Sequence, residues 1–241
     1  MSNEMLNTVP VYRAEPVGNP IGVIVLIHEI WGLVEHICTV ADRYAASGFL
    51  VIAPDLLSGV GVTPTIGVKL MAMMNEPDEQ KRLDGQTFLR ESLAPVRAPE
   101  FADVALGMLT KVLDGLEAEG HSRVGVLGFC FGGTYTYALA AQDARVVAAV
   151  PFYGTAPTDE KIAAIACPIE AFYGEIDPPI MDDFPRVEAA MREHGIDFEA
   201  TVYPGVQHAF FNDTNLARFD RAARDDAWAR SVRFLKDHLA G

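Results

Sequence analysis

The sequence predicts an α/β fold in which a mostly parallel central sheet carries helices on both faces. Three observations predict it. Short β-branched runs alternate with helical stretches along most of the chain, the pattern of a parallel sheet built from crossovers. The strand runs are apolar on consecutive residues, which suits strands buried on both sides. At 241 residues, half of them hydrophobic, the chain can bury one large core, and a single domain over 1–241 is the expectation.

The elements follow in order. Ile21 to Ile27 reads as a buried strand, and Gly32 to Ser47 as a helix with apolar residues at 34, 37, 41, 44 and 45. Phe49 to Ala53 is the next strand, closed by Pro54-Asp55. Phe101 to Ala118 forms a long amphipathic helix, with Ala105, Leu109, Val112 and Leu116 on one face and Gly120 as its stop. Arg123 to Leu127 is a strand and Thr134 to Gln142 a helix. Val146 to Phe152, Ile169 to Tyr173 and Phe198 to Tyr203 are further strands, with a helix over Phe184 to His194. Asp213 to Leu239 is mostly helix. Residues 58–99 stand apart. They are too long for a plain connection, carry prolines at 64, 77, 95 and 99, and are expected to add a short helix or two. They either cover a sheet edge or wall a substrate pocket. Arg82, Arg90 and Arg97 lie here and would suit an anionic substrate.

Composition narrows the function classes. A net charge of −14 argues against nucleic-acid or membrane-surface partners. No apolar run approaches the roughly 18 residues that cross a bilayer, and the beginning of the sequence does not read as a signal peptide. Cys38, Cys130 and Cys167 have neither framework nor CxxC spacing, so free thiols and a cytoplasmic setting are expected. No ligand pair has zinc-site spacing, and neither a metal nor another cofactor is assigned.

The chemistry centres on Gly128-Phe129-Cys130-Phe131-Gly132-Gly133, between a strand and a helix. A nucleophile bracketed by glycines at such a turn is the nucleophile elbow of the α/β-hydrolase fold. The backbone there is strained, and its neighbours must lack side chains for strand and helix to approach. An acid and a histidine follow in the order that fold requires. Asp177 lies past the strand ending Tyr173-Gly174, and His208 past Tyr203-Pro204-Gly205. His208 would take the thiol proton and return it to a leaving group, and Asp177 would orient the imidazole. Glu175, Asp182 and Asp183 compete with Asp177 for that role. The backbone N–H of Phe131 is one expected oxyanion donor, and the Ile30 N–H, in His28-Glu29-Ile30-Trp31-Gly32, is the other. Glu29, beside that hole, reads as a pocket carboxylate, and Cys38 and Cys167 as packing residues.

These motifs resemble the dienelactone hydrolase family across residues 28–210. The elbow resembles that family's G-[FY]-C-x-G-G, His28 to Gly32 its E-[IW]-[FWY]-G segment, and Pro54-Asp55-Leu56 its P-D-L-Y. Gly174 to Asp177 resembles its G-x-x-D, and Gly205 to Phe210 its G-x-x-H-[AGS]-F. The resemblance implies an α/β-hydrolase, monomeric or a weak homodimer, that opens an enol-lactone through an acyl-enzyme on Cys130. It implies that Glu29 is a fourth catalytic residue, paired with the cysteine in the resting state, and places Trp31 beside the substrate. One departure stands out. The family carries a carboxylate-clamping arginine shortly after the histidine, whereas Ala209-Phe210-Phe211-Asn212-Asp213 follows His208. A carboxylesterase or thioesterase of uncharged esters, and a non-catalytic redox-sensing module with an oxidisable Cys130, are the alternatives.

Overall fold

The computed structural model describes residues 4–240. Its eight-stranded sheet has the order β1-β2-β4-β3-β5-β6-β7-β8. The middle is formed by β3 (Val23–Ile27), β4 (Leu50–Pro54), β5 (Val124–Phe129) and β6 (Val146–Phe152), followed by β7 (Ile169–Ile176) and the edge strand β8 (Phe198–Gln207). All pairings from β4 to β8 are parallel. Every residue of β3, β4 and β5 is buried, which is why those runs show no alternation in the sequence.

Two strands precede the first one read from the sequence. β1 (Glu4–Leu6) and β2 (Val9–Ala14) form a hairpin, and β2 pairs antiparallel with β4. Asn7 and Thr8 turn the hairpin, both with positive φ, the geometry a two-residue turn between twisted strands needs.

Helices cover both faces. On one, α1 (Glu35–Ala46) meets α9 (Arg221–Leu239), where the Tyr44 and Trp228 rings lie 4.3 Å apart and the Tyr44 hydroxyl lies 2.7 Å from Ser231 Oγ. On the other lie α4 (Phe101–Ala118), α5 (Phe131–Gln142) and α8 (Phe184–Glu193). Residues 58–99 hold two helices, α2 (Pro64–Met74) and α3 (Glu79–Leu93), between short 3-10 turns. The one-turn helices α6 (Asp159–Ile162) and α7 (Pro178–Met181) complete the set.

Three helix starts differ from the sequence reading, one of them that of α5, which begins at Phe131 rather than Thr134. The first helix begins at Glu35 rather than Gly32, because residues 28–34 run as a loop in which Gly32 has φ 79°. The last begins at Arg221 rather than Asp213, where the Asp220 side chain caps it by accepting from the Ala223 N–H at 2.9 Å.

Strand order reverses between β3 and β5: from β3 the chain moves outward to β4, then returns to place β5 on the other side. Open α/β sheets bind ligands at such a switch point, above the carboxyl ends of the strands.

Candidate active site

The elbow sits at that switch point. Cys130 follows β5 directly, with φ 54° and ψ −111°, a backbone conformation that L-residues rarely hold. The contacts that fix it are tight. A Cβ on Gly128 would lie 2.3 Å from the Gly132 oxygen, and one on Gly132 would lie 2.1 Å from the Ile27 oxygen. Both obstacles are backbone and cannot rotate away. Gly132→Ala is therefore expected to cost about 3–4 kcal/mol of stability, read as a lowered urea midpoint. An unchanged midpoint would refute this account of the elbow.

The structure brings Cys130, Asp177 and His208 together. His208 follows β8 and Asp177 follows β7, and His208 Nδ1 lies 2.6 Å from Asp177 Oδ2. The other acids near Asp177 are engaged elsewhere or point away. Glu175 accepts from the Gly205 N–H at 2.8 Å, Asp183 pairs with Arg186 at 2.7 Å, and Asp182 is exposed. Burial opposes charge on His208, but hydrogen bonding to Asp177 and to Cys130 outweighs it and lifts the imidazole to about 10. At neutral pH the ring is an imidazolium facing the thiol.

Glu29, Ile30 and Trp31 extend from β3 over the same cavity. His28 fixes this segment from beneath. It is fully buried, and burial lowers its pKa, so it is neutral. Its Nδ1 lies 2.6 Å from the Glu29 carbonyl oxygen and its Nε2 accepts from the Leu56 N–H at 3.2 Å. The Gly32 N–H donates to the same carbonyl at 3.0 Å. A trans peptide points its N–H opposite to its C=O, so anchoring the Glu29 carbonyl turns the Ile30 N–H away from the anchor. Phe131 opens α5, where its N–H has no acceptor in its own helix. Its ring stacks 5.7 Å from the His28 ring at an interplanar angle of 5°. His28 thus touches both segments that carry an expected oxyanion donor.

Glu29 is 1% exposed. Burial raises its carboxyl to about 7, against the hydrogen bond from Asn212, the nearby charge of His208 and the neighbouring Tyr153 hydroxyl, which favour the anion.

The cavity has a volume of about 160 Å³ and is lined by Glu29, Ile30, Trp31, Cys130, His208 and Ala209 at its base. Met74, Asn75, Leu93 and Arg97 from the 58–99 segment, with Asn215 and Arg218 from the loop before α9, form its walls. Arg82 and Arg90, read from the sequence as substrate-binding, do not line it. α3 turns Gly85 and Leu93 inward and leaves Arg90 exposed, while Arg82 donates to the Glu76 carbonyl at 2.9 Å beyond the end of α2. Arg97 and Arg218 stand there instead, and among the described residues neither guanidinium has a hydrogen-bond or ion-pair partner. Arg218 was missed because it lies ten residues beyond His208, in a stretch whose composition reads as helix. The described residues hold no cluster of potential metal ligands and no helix long and apolar enough to cross a membrane.

Comparison with known proteins places this architecture. The sequence model of the Dienelactone hydrolase family matches residues 9–239. Protein usf of Aquifex pyrophilus is 33% identical over 95% of this chain and 93% of its own. A relative from Saccharolobus solfataricus that carries the provisional name carboxymethylenebutenolidase is 29% identical, over 90% of each chain. Among solved structures, a provisionally named dienelactone hydrolase from Klebsiella pneumoniae superposes with a TM-score of 0.76 at 26% identity, covering 94% of this chain and 92% of that one. With the family's model spanning nearly its whole length and the α/β-hydrolase sheet carrying a glycine-bracketed elbow, this chain belongs to the dienelactone hydrolase family.

Proposed function

We propose that the protein is a cysteine-dependent carboxylic ester hydrolase that opens a lactone, or cleaves a related ester, bearing a carboxylate. The observation that carries this reading is one cavity holding Cys130, His208 and two unpaired arginines in a chain of net charge −14. With 33 acidic side chains available, guanidiniums left without a carboxylate of the protein are suited to one brought by the substrate.

The steps follow from the proton positions. The Cys130 thiol passes its proton to the Glu29 carboxylate as its sulfur attacks the ester carbonyl carbon, and the C=O π pair moves onto oxygen, where the Ile30 and Phe131 N–H groups receive it. The intermediate collapses, the acyl C–O bond breaks, and the leaving oxygen takes the proton from His208. The product remains as a thioester on Cys130. Once acylated, the sulfur no longer holds charge opposite His208, so one of the contributions that raise the imidazole is lost. His208 then becomes a better base for the water that attacks the thioester. The elbow's site suits both steps, as one face of the imidazole serves sulfur and then water.

A panel of lactones, aryl esters and thioesters, each with and without a carboxylate, tests the reading with mass detection of an adduct on Cys130. Substituting Arg97 or Arg218 by Met is expected to raise KM about tenfold for carboxylate-bearing substrates and leave KM for neutral esters unchanged. Equal losses on both classes would remove the arginines from substrate binding. Faster turnover of neutral esters by the unmodified enzyme would favour a general carboxylesterase.

The protein is expected to work without a cofactor, as a monomer or weak homodimer, and a cytoplasmic location is part of the same proposal.

A further inference from the structure

Glu29 sits at the nucleophile's cavity, and beside its side chain stand two residues that the reaction scheme does not use. Asn212 Nδ2 donates to Glu29 Oε2 at 2.6 Å, and Asn212 is 1% exposed. The orientation of that amide is fixed from its other end: Asn212 Oδ1 accepts from the Thr214 N–H at 3.0 Å and the Thr214 hydroxyl at 2.6 Å. The donor face of the amide is therefore turned to the carboxyl, with the Met71 sulfur a longer second acceptor at 4.0 Å.

The second oxygen, Glu29 Oε1, is buried, and so is the hydroxyl of Tyr153. Neither atom has a hydrogen-bond partner among the described residues, and the two side chains are close enough for each to act on the other's charge. Tyr153 directly follows β6 and has φ 38°, a strained backbone for an aromatic residue. Its N–H is tied to the Phe172 carbonyl at 2.7 Å, and its ring lies 5.0 Å from that of His208 and 5.3 Å from that of Phe210. This conformation places the phenol within electrostatic reach of Glu29 and Cys130. Burial first, and then the charges of Glu29 and Cys130, raise the phenol well above its ordinary value, so it remains a donor.

We propose that Asn212, which grips one oxygen of Glu29, and Tyr153, whose buried unpartnered hydroxyl stands beside the carboxyl, are positioning residues that govern the proton this carboxyl exchanges beside Cys130. The proposal rests on the reading of Cys130 as nucleophile and Glu29 as its acid–base partner. Both groups are donors, so both favour the carboxylate over the acid. They oppose burial, which favours the acid. The position after His208 where the family has an arginine is thus not empty of function. A neutral amide at Asn212 supplies a donor without a full charge, and leaves the carboxyl titrating near neutral pH rather than locked as an anion. The other charged or titratable groups around Glu29 are His208 after β8, Cys130 at the head of α5, and Arg97 and Arg218 across the cavity.

The test uses two variants that preserve shape. Tyr153→Phe removes only the hydroxyl. Asn212→Asp keeps the oxygen that holds Thr214 and replaces the donor with a second carboxyl oxygen. The Glu29 titration is read by pH-dependent infrared difference spectra, with its protonated carboxyl band assigned by its loss in Glu29→Gln. Cys130 alkylation by iodoacetamide is followed in parallel by mass spectrometry. Tyr153→Phe is expected to move the carboxyl titration up by about one pH unit, because the anion loses a neighbouring donor. Asn212→Asp is expected to move it further, because two adjacent carboxyls share one proton. In each variant the inflection of alkylation should move with the infrared band, and adding Glu29→Gln should abolish the difference. A carboxyl titration unmoved in either folded variant overturns the proposal. If instead the band moves but Glu29→Gln leaves the alkylation profile of the parent unchanged, the grip stands as geometry and the reading of Glu29 as the partner of Cys130 fails.

Discussion

Cys130→Ala is expected to lower kcat on the best lactone or ester substrate by about four to six orders of magnitude. The size follows from what the scheme asks of this side chain. Without the sulfur no acyl-enzyme forms, and the remaining groups can only assist direct attack by water. The oxyanion donors and substrate binding would leave a residual acceleration of about 10³–10⁴ over the uncatalysed reaction. The backbone at position 130 is fixed by glycine contacts on both sides rather than by the thiol, so the variant should fold. The adduct at residue 130 should vanish together with turnover. Activity within tenfold of the parent would show that hydrolysis does not pass through this sulfur.

His208→Ala should cost about three to four orders of magnitude or more in kcat, because the imidazole moves protons in both halves of the cycle. The pH profile provides the companion evidence. Burial holds Glu29 up at about 7, so below that pH it is protonated and can no longer accept the thiol hydrogen. His208, lifted to about 10 against burial by Asp177 and Cys130, keeps its proton for the leaving group until pH passes that value. The expected kcat/KM profile is therefore level between about 7 and about 10 and falls on either side. Asp177→Asn removes a partner that raises His208, so the upper limb should move to lower pH. An upper limb that stays in place would separate Asp177 from the imidazole's proton.

The central sheet was legible because its strands are buried on both faces, and such runs announce themselves without any partner in view. The hairpin of β1 and β2 was not. Its strands are three and six residues long, one contains Pro10, and their apolar positions gain meaning only against β4 and α4. Cys130, Asp177 and His208 could be named because each lies immediately past a strand, where sequence position and spatial position agree. Arg97, Arg218, Asn212 and Tyr153 could not be singled out in that way. They reach the cavity through helix ends, turns and a strained backbone whose direction depends on tertiary packing. The signal for Tyr153 was present in principle, since it follows a strand as Cys130 does. The signal for Arg218 was hidden by a helical composition that begins its helix only at Arg221.

The division of the cavity between its base and its walls has a bearing on how such a protein can change. Sulfur, imidazole, carboxylates and the proposed oxyanion donors all follow the carboxyl ends of sheet strands, whose register is shared with the core. Arg97 and Arg218, by contrast, come from segments outside the sheet. Neither guanidinium makes a contact that the fold depends on. A lineage can therefore exchange, shift or lose them at little cost in stability, and relatives can keep one reaction while diverging in the molecules they accept.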